Sequence, residues 1–208
     1  MKGFQESFFG VLKEAEMFID YLTIMLINLA AGLFIMAVFV FWFLNGDRKK
    51  VVPGLLVSGF VALVTGLHEI FTWPIVSSYN IPFGEMSVFF GALFFATGIA
   101  ILKDWDLLTL GVYAVFAGAA SVVLGIRIYS LKMTSEPLVA MGGFVLTGLL
   151  AMLALPAYVL RKSLVVRILA ALGLVGASAI WAFLGYLAYW AHLANFSKWV
   201  PTLFQAPK

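Results

Sequence analysis

Cysteine is absent from the 208 residues. That excludes disulfides, thiolate metal sites and cysteine-held iron–sulfur clusters. Charge is scarce: Asp, Glu, Lys and Arg make up 11% of the chain, against about 25% in a soluble domain. No broad basic surface exists to hold a duplex, so nucleic acid is not expected as a partner. Histidine occurs only at His68 and His192, too sparse for the paired histidines of a helical zinc-protease motif. Nucleophile elbows, phosphate-cradling glycine loops and voltage-sensor arginine ladders are also missing. The chain therefore reads as non-enzymatic.

What is present is apolar. Hydrophobic residues make up 63% of the sequence, more than a fold of this length hides from water. A helix crosses about 30 Å of hydrocarbon in roughly 17–25 residues. Six runs reach that length: 19–44, 52–73, 83–102, 107–130, 137–160 and 164–192. They are apolar all round, without the dyad alternation of a membrane barrel. The expected fold is all-α, a polytopic bundle of six spans with short loops. Three regions follow: an interfacial amphipathic helix over 1–16, carrying Phe4, Phe8 and Leu12 at helical spacing; the six-helix domain over 17–193; and a short interfacial tail over 194–208. The first apolar run follows Glu14, Glu16 and Asp20 and is too long for a signal core, so it reads as a retained span.

The loops set an orientation. Arg48, Lys49, Lys50, Lys103, Arg161 and Lys162, with Arg167 just inside the sixth run, lie at one end. The positive-inside rule makes that end cytoplasmic and both termini extracytoplasmic, in the plasma membrane. Trp42, Trp73, Trp105, Trp190 and Trp199 fall near span ends, as an aromatic belt requires. Glycines at Gly111, Gly118, Gly125, Gly142, Gly143 and Gly148 suit close helix approach. A weak internal repeat relates Pro53 and Gly59 to Pro137 and Gly143, as inverted three-helix halves of a small transporter would.

Intramembrane ionisable residues cost about 2.5–3.5 kcal/mol each at mid-span on insertion scales, so they mark sites. Here they gather at the end opposite the basic loops. Asp20, Asn28, His68, Glu69, Tyr79, Asn80, Glu85, Arg127, Tyr189 and His192 are the candidate pocket. Three chemistries compete for it. His68 and His192 would ligate haem b axially, or a divalent metal with a carboxylate. Carboxylates with Arg127 would bind a polar headgroup, a quinone or a proton. Alternatively a carboxylate pairs with Arg127 and seals the bundle, which predicts a buried Arg127. The leading expectation is a membrane protein with an outer-leaflet pocket for a small ligand or cofactor, serving as an accessory subunit of a larger assembly. Membrane lipids and a homo- or hetero-oligomer are its expected partners.

Several strings are similar to one family. They include Thr65-Gly66-Leu67-His68, Phe71-Thr72-Trp73-Pro74, Ser78-Tyr79-Asn80-Ile81, Phe83-Gly84-Glu85-Met86-Ser87, Gly125-Ile126-Arg127 and Tyr189-Trp190-Ala191-His192. Together they resemble domain-of-unknown-function family 981, small archaeal and bacterial membrane proteins. The resemblance spans about residues 17–201. It implies a compact multi-spanning protein and carries no activity or catalytic residue.

Overall fold

The computed structural model describes residues 22–75, 77–195 and 197. The proposed amphipathic helix over 1–16, Asp20, Trp199 and nearly all of the C-terminal tail lie outside them. Among the described residues the fold is helical: α1 Leu22–Val38, running on through a π-helical turn Phe39–Phe43; α2 Val52–Thr72; α3 Met86–Leu102, preceded by a π-helical turn Ile81–Glu85; α4 Leu108–Leu131; α5 Pro137–Val159; and α6 Leu164–Asn195. All six are long and apolar enough to cross a membrane once their flanking turns are counted. The protein is a polytopic helical bundle.

The sequence dictates this on two levels. In hydrocarbon each backbone polar group must be satisfied within its own segment, and a helix does so. Packing is then decided by side-chain size. On α2, Val57, Phe60, Val64, Leu67 and Phe71 recur at three- and four-residue spacing and are exposed, forming the lipid face. Its opposite face buries Ser58, Gly59, Ala62, Gly66 and Glu69. Small residues turn inward because helices in lipid are held by close contact rather than by escape from water.

Each helix packs on its neighbours in the chain, and α6 returns to pack on α1, so the six form a closed ring. The most intimate pairs are α4/α5, α2/α3 and α1/α6. This pattern departs from the inverted three-helix halves. A repeat would make α5/α6 as tight as α2/α3, and α1/α2 as tight as α4/α5, and neither holds. The glycines explain the tight pairs. A Cβ on Gly148 would lie 2.6 Å from the Gly118 carbonyl oxygen, and one on Gly66 2.8 Å from that of Gly84. Gly142 is the exception to the expected close approach, with nothing within 4 Å of its Cβ position.

An aromatic stack crosses the middle of the ring. Phe83 meets Phe144 edge-on at 5.7 Å between centroids, and Phe144 meets Trp181 at 4.9 Å. Trp181 is 1% exposed, and its indole N–H donates to the Thr147 hydroxyl at 2.9 Å. The stack separates two very different ends.

Candidate functional site

At the end bearing the 73–82 connection, polar groups close loops and pin helices. The chain leaves α2 at Trp73 in the left-handed region (φ 47°), immediately before Pro74. Asn80 is fully buried; its amide oxygen accepts from the Ile75 N–H at 3.1 Å and its amide donates to the Ile75 carbonyl. It therefore ties off the turn. The Tyr79 hydroxyl donates to the Met133 carbonyl and joins this connection to the one between α4 and α5. Asn28 donates to the Ser58 carbonyl at 2.8 Å, bridging α1 to α2.

The other expected pocket residues do not turn inward as a group. His68, Glu85, Arg127 and Tyr189 are exposed, and His192 is half-buried. Arg127 forms no ion pair among the described residues. The expectation of a buried Arg127 is corrected accordingly: it sits near the C-terminus of α4, where a long side chain reaches the interface instead of spending a charge in hydrocarbon. His68 and His192 stand on α2 and α6, which flank α1. No group of three or more His, Asp or Glu placed to hold a metal occurs among the described residues. A small void beside Phe83, Phe144 and Trp181 measures about 20 Å³, room for about one water.

Glu69 stands apart. It is fully buried at the α2/α3 contact, and neither carboxylate oxygen has a hydrogen-bond partner among the described residues. A Cβ on Gly84 would touch its side chain at 3.3 Å, so Gly84 makes the space that Glu69 fills.

The opposite, basic end holds a cavity of about 420 Å³, within the ~300–1,000 Å³ range of ligand sites. Sequence reasoning placed no site there. Its walls come from five helices and are almost wholly apolar: Leu33 and Met36 of α1, Phe90 and Leu93 of α3, Ala114 of α4, Ala151 and Ala154 of α5, Ala170 and Leu174 of α6. Three lining residues, Leu153, Leu160 and Leu169, are 57%, 55% and 64% exposed. Leu153 stands on α5, Leu160 just beyond its end and Leu169 on α6, so the cavity reaches the surface beside those two helices. Farther along, the same two helices close up, where Gly173 sits against Leu150.

The loops at this end are laced together. Asn45 donates to the Arg161 carbonyl at 2.9 Å, Lys49 pairs with Asp104 at 3.1 Å, and the Tyr158 hydroxyl donates to Asp106 at 3.1 Å. The Arg161 guanidinium lies 4.3 Å over the Tyr158 ring and donates to the Tyr158 carbonyl. Arg167, in the first turn of α6, lines the cavity, and its Nε is buried without a hydrogen-bond partner among the described residues. The one sequence signal for this site was Arg167 itself, which reads equally well as a topology charge.

No curated protein and no solved structure matches the chain. The family model described as "Protein of unknown function (DUF981)" matches residues 16–195. The chain belongs to that family.

Proposed function

We propose that this membrane protein takes the hydrocarbon chain of a membrane amphiphile into the cavity between α1, α3, α4, α5 and α6. The observation that carries this reading is the cavity itself, apolar and open sideways at Leu153, Leu160 and Leu169. Its magnitude supports occupancy. Unfilled apolar space of about 420 Å³ forfeits the contacts its lining would otherwise make, so a space open to the bilayer favours a filler. Water is a poor filler, since apolar cavities stay dry. Hydrocarbon from the bilayer is at hand. Entry is lateral, and under the positive-inside rule it lies in the cytoplasmic leaflet.

The test is lipid analysis of the purified protein beside an Ala151→Phe variant, which puts a ring into the cavity. The native chain retains about one amphiphile per protein through delipidating washes, and the variant retains none. Equal retention by both sinks the reading.

A second reading keeps a ligand at the other end. It rests on Glu69, whose buried carboxylate lacks any donor among the described residues; an occupant supplying a cation or N–H groups would satisfy it.

A further inference from the structure

We propose that the amphiphile held in the cavity has an anionic head, carboxylate or phosphate, and that Arg167 reads it. This rests on the cavity reading above and adds the chemistry of the head.

The charged groups around the cavity differ in how far they are already engaged. Lys49 is paired with Asp104. Arg161 is spent on the Tyr158 carbonyl and ring. Asp106 accepts from Tyr158 and from the Leu108 N–H. Arg167 is the contrast: it lines the cavity, its Nε is buried, and among the described residues no carboxylate lies within ion-pair distance. A guanidinium presents a planar fork of N–H donors suited to carboxylate or phosphate, and a buried donor left unmatched is costly. Its position also fits. Arg167 stands one turn inside α6, near the exposed Leu169 and Leu160, where a chain entering between α5 and α6 would leave its head. Deeper in, the lining is Leu, Phe, Met and Ala, with the Thr97 and Thr147 hydroxyls as exceptions. One cation at the mouth and hydrocarbon beyond it is the complement of a single-headed anionic amphiphile.

The full chain is placed in phosphatidylcholine nanodiscs with either spin-labelled stearate, at a pH where its head is ionised, or the matching methyl ester. The immobilised fraction gives relative affinity. Stearate is expected to bind about tenfold tighter than the ester, the increment of a charge-assisted hydrogen bond. Arg167→Gln removes the preference and keeps ester binding, and Arg167→Lys keeps most of it. Inorganic phosphate does not displace the label.

Equal binding of stearate and ester by the native protein overturns the inference and leaves the cavity reading standing; Arg167 is then only a snorkelling end-of-span charge. Displacement by inorganic phosphate also overturns it, since Arg167 then reads a free anion. If neither label is immobilised, or Ala151→Phe changes neither, the cavity reading itself falls.

Discussion

Gly148→Ala and Gly142→Ala make a matched pair six residues apart on α5. Each replaces a helical glycine with the best helix former, a gain of about 0.8–1 kcal/mol. They differ in what the new methyl meets. At Gly148 it meets main chain: the Gly118 carbonyl oxygen at 2.6 Å and the Val122 nitrogen at 3.0 Å, with the Val122 side chain at 2.8 Å. Backbone cannot rotate aside, so α4 and α5 must separate along the tightest pair in the ring. Overpacking costs about 1–3 kcal/mol, and the upper end applies when no flexible atom can yield, leaving a net loss of about 2 kcal/mol. At Gly142 nothing lies within 4 Å, so the helix gain stands alone. The two variants should differ by about 3 kcal/mol. At ~2–4 °C per kcal/mol for a chain of this size, that is a gap of roughly 6–12 °C in detergent melting, with Gly142→Ala at or above the native protein. A Gly148→Ala variant that melts as high as Gly142→Ala refutes the close-approach argument.

Two further outcomes follow from burial. Arg127→Ala should leave stability within about 0.5 kcal/mol, because the side chain is exposed and makes no ion pair among the described residues; a fall of several degrees in melting temperature means it has a partner beyond those residues. Glu69→Met keeps the volume and removes two unsatisfied oxygens, so the melting temperature should rise, by the equivalent of about 1–3 kcal/mol; a drop would show that an occupant satisfies the carboxylate and would favour the second reading.

The six spans were legible because long apolar runs between short charged loops have no other stable use. The contact faces of α4 and α5 were half legible: Gly111, Gly118, Gly125 and Gly148 announce a close neighbour, but which neighbour depends on ring closure. Several polar residues of the expected pocket have structural duties of their own. Asn28, Tyr79 and Asn80 are polar at that end because loops and helix pairs need tying there, and Arg127 because a long cation reaches the interface. Apart from Arg167, the cavity had no signature. Leu33, Phe90, Ala114 and Ala151 are the same residue types that fill the packed core, and a void is a property of their spacing across five helices.

Ring closure also sets an order of assembly. Ser178 of α6 donates to the Ala30 carbonyl of α1 at 2.7 Å, across 148 positions of sequence. During synthesis α1 reaches the bilayer first and its closest partner last. The α2/α3 and α4/α5 hairpins have their partners within one loop and can form as they emerge. Throughout that interval α1 stands in lipid with its small-residue seam, Ala30 and Ala37 among it, unmatched. The cavity has no α6 wall until that helix arrives, so up to that point its lining stands open to the bilayer.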